Sequence, residues 1–176
     1  GSKLELHTNF TPPWSWLLNE EYSGLFGSEQ HNWKEYHQWM LDGSCFLQLL
    51  GDLVLNCRAH FGVLGKFSSQ KHIGPFGRFV LGGSTGFNHR KTTGEEGISL
   101  RGYEDDYIAP RDAATNYRGG IIYEKFVLEL RYPVFSSYVA TAYALAFAEG
   151  GNTWTQYEAY NPFSLKRSVG VGLRIY

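Results

Sequence analysis

The sequence predicts an all-β chain, an antiparallel meander forming part of a transmembrane β-barrel. Three observations carry that expectation. Apolar and polar residues alternate with period two over several stretches, so each stretch has one apolar and one polar face. The segments between these stretches run alternately long and short, as in a barrel with tight turns at one end and long loops at the other. The composition is β-like, with 21 glycines, one methionine and 16 % aromatic residues.

The first strand covers Leu4 to Thr11, where Leu4, Leu6, Thr8 and Phe10 alternate with Glu5, His7, Asn9 and Thr11. The second covers 34–49, with Trp39, Leu41, Cys45, Leu47 and Leu49 on one face and Lys34, Gln38, Asp42, Ser44 and Gln48 on the other. The third, Leu53 to Leu64, is the clearest. Leu53, Leu55, Cys57, Ala59, Phe61 and Val63 oppose Val54, Asn56, Arg58, His60, Gly62 and Leu64. The fourth, Ile121 to Tyr132, sets Ile122, Phe126, Leu128, Leu130 and Tyr132 against Tyr123, Lys125, Val127, Glu129 and Arg131; Glu124 breaks the apolar face. The fifth, 137–149, alternates poorly, because alanine fills every other position from Ala140 to Ala148. The sixth, Leu165 to Tyr176, alternates Val169, Val171, Leu173 and Ile175 with Lys166, Ser168, Gly170, Gly172 and Arg174; Arg167 interrupts the apolar face at its start.

The connections are then 13–33, 50–52, 66–118, 134–136 and 150–164. The long ones should share one end of the sheet, on the extracellular side, and the turns near Gly51 and Ser136 the periplasmic end. In a barrel the apolar face meets lipid, so Arg58, Lys125, Glu129, Arg131, Lys166 and Arg174 point into the lumen. A soluble sandwich would place the same apolar face in its core, so periodicity alone leaves both arrangements open. The uncharged run Tyr132 to Ala148 resembles a membrane helix but is short of the roughly 20 apolar residues needed and carries Pro133. Six strands fall short of a closed single-chain barrel, and there is no initiator Met or signal peptide. The expectation is a processed product or a fragment that completes its wall elsewhere.

A net charge of −1 offers no basic field for nucleic acid. Cys45 and Cys57 are too few for a disulfide framework and lack metal-ligand spacing. If Leu50 to Asp52 form the turn, the two face each other across neighbouring strands and stay free thiols. No nucleophile elbow or other catalytic constellation is present, and the chain reads as a non-enzyme without cofactor. His31, His37, His60, His72 and His89 show no ligand spacing. Glu104, Asp105 and Asp106 suggest either a cation site or, more simply, a solvated acidic loop. Trp14, Trp16, Trp33 and Trp154 lie at loop–strand borders, as in an aromatic girdle; a carbohydrate platform is the alternative.

Leu81-Gly82-Gly83 and Ser99-Leu100-Arg101-Gly102-Tyr103 lie within the long loop 66–118. Together they resemble the GG and (V/L)RG(F/Y) signature of the BamA family of outer-membrane protein assembly factors. The similarity continues in order through GSKLELHTNFTPPWSW at 1–16, YEKFVLELRYP at 123–133, FAEGGNTW at 147–154 and NPFSLKRSVGVGLRI at 161–175. The wording of the last segments is nearest to Bacteroidota members. The resemblance implies a sixteen-stranded barrel, of which this chain is similar to the ninth to fourteenth strands. The POTRA domains, the first strand and the last two strands have no counterpart.

By that resemblance Arg101 folds with its loop into the lumen and pairs with Glu129 and Glu149, and Gly82, Gly83 and Gly102 supply backbone freedom or close approach. Gly82 reads equally well as a plain loop glycine. Reversing Arg101 should damage the barrel, and reversing Glu129 or Glu149 with it should recover part of the loss. The implied function is a barrel segment of the insertase that folds β-barrel proteins into the outer membrane of a Gram-negative bacterium. The implied partners are outer-membrane lipid, nascent β-barrel proteins, accessory assembly subunits and the remaining strands of the barrel. A transport barrel, either a porin or a two-partner secretion pore, is the alternative. A soluble carbohydrate-binding β-sandwich is the second.

Overall fold

A computed structural model describes residues 1–13, 17, 35–67, 72–83, 89–90, 94–136 and 141–175. Six long strands form one antiparallel meander: β1 (Ser2–Phe10), β2 (His37–Leu50), β3 (Leu53–Gly65), β7 (Ile122–Ser136), β8 (Thr141–Trp154) and β9 (Lys166–Ile175), in the order β1-β2-β3-β7-β8-β9. Between β3 and β7 the chain builds a small second sheet, β4 (Phe79–Leu81), β5 (His89–Arg90) and β6 (Glu96–Ile98), in the order β4-β6-β5. Its strands are too short for periodicity to reveal, so the sequence reads as loop there.

The register follows the alternation. Asn56, Glu129, Phe147 and Gly170 stand in one row across β3, β7, β8 and β9, and Arg58, Val127, Glu149 and Ser168 in the next. Both rows lie on the polar face. The apolar face carries Leu4, Leu6, Leu128, Val169, Val171, Leu173 and Ile175, between 52 % and 85 % exposed. No described residue packs a second layer onto it as a sandwich would, and a continuous apolar surface of this extent calls for lipid or another partner. Among the described residues no helix is long and apolar enough to cross a membrane. Tyr132 to Ala148 instead contributes to β7 and β8, with 137–140 outside the described residues.

Several boundaries move. The turn expected at 134–136 lies within β7, which runs on to Ser136. β8 continues to Trp154, not 149, so the following connection starts at 155 instead of 150. Gly150-Gly151-Asn152 reads locally as a turn, but these residues pair with Phe126, Lys125 and Glu124 of β7, and the ladder overrides the local preference. The β2–β3 turn is Gly51-Asp52 alone, with Gly51 in the left-handed region at φ 54°. A bulge between Gln48 and Leu50 inserts the extra residue that a three-residue turn would have supplied. Cys45 therefore still stands opposite Cys57, and both thiols are free. Thiol titration of denatured, unreduced protein should recover both; finding none would place a disulfide across β2 and β3.

The core lies at the long-loop end, between the polar face and the segment 73–121. Leu64 and Tyr123 from the wall meet Phe79, Leu81, Ile98, Leu100 and Ile108 from the segment. Gly62 leaves the space that Tyr123 and Phe79 fill. Trp154 ends β8 opposite Ile122, on the parity of the apolar face, and packs against Tyr160 at 8 % exposure, so it is buried rather than displayed in a girdle. Trp14, Trp16 and Trp33 lie outside the described residues.

Candidate functional site

The 94–121 segment crosses the polar face of β7, β8 and β9, fastened by side chains of β7 and β8 and by a backbone carbonyl of β9. Arg101 is the centre. Its guanidinium lies 2.6 Å from Glu149 Oε1 and 3.0 Å from Glu129 Oε2, while its backbone amide donates to Glu149 Oε2 at 3.0 Å. The same guanidinium lies over the Phe147 ring, 3.6 Å from its centroid. Phe147 can lie flat along the wall because Gly170 opposes it: a Cβ there would come within 2.6 Å of the ring. Lys125 Nζ donates to the Ser99 carbonyl at 2.5 Å, and Tyr103 Oη donates to the Arg167 carbonyl at 2.9 Å.

The two carboxylates are not equivalent. Glu149 receives three contacts from Arg101, with Lys125 further off at 3.9 Å. Glu129, fully buried, also accepts from Arg131 Nε at 2.6 Å and has Arg58 and Arg174 each at 3.8 Å. Burying a carboxylate is tolerable only with such compensation. Period two placed Arg58, Arg131 and Arg174 on this face but gave no sign that they converge on one carboxylate. Phe147 carries no sequence signal for this role, because aromatic residues occur on both faces of a barrel wall.

The glycines of the motif have separate reasons. At Gly82 (φ 142°) and Gly83 (φ 86°) a Cβ would collide with the Glu104 carbonyl and the Asp105 carboxylate, so neither is a plain loop glycine. Gly102 (φ 84°) lets the loop lie on β9, with Ser168 Cβ 3.0 Å from where its own Cβ would be. In the acidic run Asp106 pairs with Arg118 at 3.3 Å, and no group of described residues is arranged to hold a metal ion. The one described polar cluster of histidines, His7 and His60, flanks Asp42 on the polar face.

A second tie sits further out. Arg78, 1 % exposed, donates to the carbonyls of Ile73, Gly74 and Gly119 and to Asp112 Oδ2. Burial alone would raise the Asp112 carboxyl, yet the amides of Ala114 and Thr115 and the Arg78 guanidinium hold it below the usual carboxylate range. A carboxyl depressed in the folded state stabilises above its ordinary value, about 3.9, and the contribution fades as pH falls through the lower folded value. The segment 94–121 should therefore resist protease equally at pH 7 and pH 5 and lose protection only below about pH 4. Loss already at pH 5 would show that this tie does not hold it.

Glu124, the exception on the apolar face, is covered from outside. Tyr160, from the connection after β8, donates to its Oε2 at 2.7 Å and packs edge-on against Trp154 and Phe61. Burial, then the hydrogen bond and charge of Glu124, push the Tyr160 phenol up to about 12. The charge is thereby shielded at the rim.

No curated protein matches the chain. Residues 8–176 match the family described as Omp85 superfamily domain. That superfamily comprises outer-membrane insertases and secretion pores of Gram-negative bacteria or organelles, working with membrane lipid and substrate proteins, and its members are not enzymes. A six-stranded meander with one exposed apolar face and a charged face that holds a folded-in loop fits part of such a barrel. The chain belongs to the Omp85 superfamily.

Proposed function

We propose that this chain is a barrel region of a BamA-type insertase, which folds β-barrel proteins into the outer membrane of a Gram-negative bacterium. On this reading the polar face is the lumen, the 66–118 connection is extracellular, and Gly51 lies at the periplasmic end. The observation that carries the choice over a secretion pore is the double fastening of the 94–121 segment. An apolar core holds it at the long-loop end, and the Arg101–Glu149–Glu129 cluster holds it midway along the wall. A segment fixed at two levels is a brace, whereas an outward passage needs one that yields.

The partners are then outer-membrane lipid, nascent β-barrel proteins and accessory assembly subunits. The test is reconstitution of the full-length protein in vesicles with an unfolded β-barrel client, with folding read by heat-modifiable gel mobility. Faster client folding than in protein-free vesicles is expected. No acceleration, together with passage of a soluble substrate protein through the vesicle wall, would assign a secretion pore instead.

A further inference from the structure

We propose that the apolar face holds a site for one anionic lipid, with its phosphate on Arg167 and an acyl chain in the groove along β8. Among the described strand residues, only Glu124 and Arg167 bring a formal charge to that face, both near its long-loop end. The two are treated differently. Glu124 is 3 % exposed, and Tyr160 covers it and donates to its Oε2 at 2.7 Å. Arg167 is exposed, with its stem beside Gly150, and its guanidinium meets no partner among the described residues. Only its backbone carbonyl is used, by Tyr103. The anion is hidden and the cation displayed, so the rim of the lipid-facing surface offers positive charge. A guanidinium at a membrane interface attracts anionic headgroups, and its planar fork suits the oxygens of a phosphate.

From Arg167 toward the Gly51 end the face is grooved. Ala148, Ala146 and Ala144 of β8 lie between Leu128, Leu130 and Tyr132 of β7 and Val169, Val171 and Leu173 of β9. A groove of about 680 Å³ is lined by Leu130, Tyr132, Ala144, Ala146, Val171 and Leu173. Its walls are two strand spacings apart, about 9–10 Å between backbones. That admits an acyl chain but not a helix, which with its side chains is roughly 10–12 Å across. The length also fits. Six residues of β9 separate Arg167 from Leu173, about 20 Å along the strand, or about 15 Å of depth at a tilt near 40°. One leaflet of a hydrocarbon core of about 30 Å has that depth. The site needs the apolar face to meet lipid, as in the family, and serves an insertase and a secretion pore alike.

The test uses full-length protein in phosphatidylcholine nanodiscs that contain a lipid with a photoactivatable diazirine on its acyl chain. Its headgroup is either phosphatidylglycerol or phosphatidylcholine, and mass spectrometry locates the labelled residues. Expected is labelling concentrated at 142–148 and 169–173, roughly fivefold stronger with the anionic headgroup. Arg167→Gln should bring the two headgroups level. Ala146→Phe, which fills the groove, should remove the concentration of label for both. Heat-modifiable mobility checks that each variant is folded. Labelling spread evenly over the apolar face, equal labelling by the two headgroups, or an unchanged preference in folded R167Q would overturn the site. Displacement of the label by inorganic phosphate would make Arg167 a free-anion site and overturn the lipid occupant. Client folding is measured separately, so wild type that labels as expected yet folds no client contradicts the insertase reading and not this one.

Discussion

Replacing Arg101 with Glu in the full-length protein is expected to release the 94–121 segment and destabilise it by at least about 3 kcal/mol. The change removes the cation that Glu149 depends on and sets a third carboxylate beside two that are already buried. Protease sensitivity of the segment and a lowered heat-modification temperature would register it. The two compensating reversals should differ. Adding Glu149→Lys restores an opposite charge where Arg101 makes most of its contacts. Adding Glu129→Lys sets a new cation among Arg131, Arg58 and Arg174, so little should be recovered. Equal recovery by both would mean that the cluster is a loose charge cloud and not a set of specific pairs.

The second large effect is expected at Arg78. Arg78→Met keeps much of the side chain's bulk but leaves the carbonyls of Ile73, Gly74 and Gly119 without their donor, and Asp112 without its cation. Each buried orphan costs about 1–3 kcal/mol, so the loss should reach several kcal/mol locally. Arg78→Lys should not rescue it, because a single ammonium cannot reproduce the planar fork that spans these acceptors. Hydrogen exchange across 73–83 and 108–120 should accelerate in both variants while β7 and β8 stay protected. An unchanged exchange pattern would show that the small sheet and its core suffice.

The long strands were legible because one face of β3, β7 and β9 is nearly uninterrupted. A side-chain period of two survives a one-residue error at either end. What was not legible depends on contacts distant in sequence. Gly150-Gly151-Asn152 extend β8 only because β7 is there to pair, and the bulge at the β2 end is invisible until register is known. Glu124 looked like a fault in the pattern. Its cover, Tyr160, lies 36 residues away in a connection with no periodicity. The pairing of Arg101 with two carboxylates was named through family resemblance. Parity alone placed Glu129 on the right face but could not bring a loop to it. Phe147 and the convergence of Arg58, Arg131 and Arg174 had no signal in a single sequence, since both follow from rows that form across four strands.

A cross-link shows directly whether the 94–121 segment is a fixed brace seated on β9. With Cys45 and Cys57 replaced by Ala, cysteines are introduced by Gly102→Cys and Ser168→Cys. A Cβ at position 102 would lie 3.0 Å from that of Ser168, and a disulfide needs about 3.8 Å, so a shift under about 1 Å allows the bond. The left-handed backbone at Gly102 adds a strain of about 1–2 kcal/mol, which an oxidising medium overcomes. The cross-link is expected to form in folded protein, and the locked protein is expected still to accelerate client folding in vesicles. Failure of the cross-link to form, or loss of client folding that returns on reduction, would contradict a fixed brace.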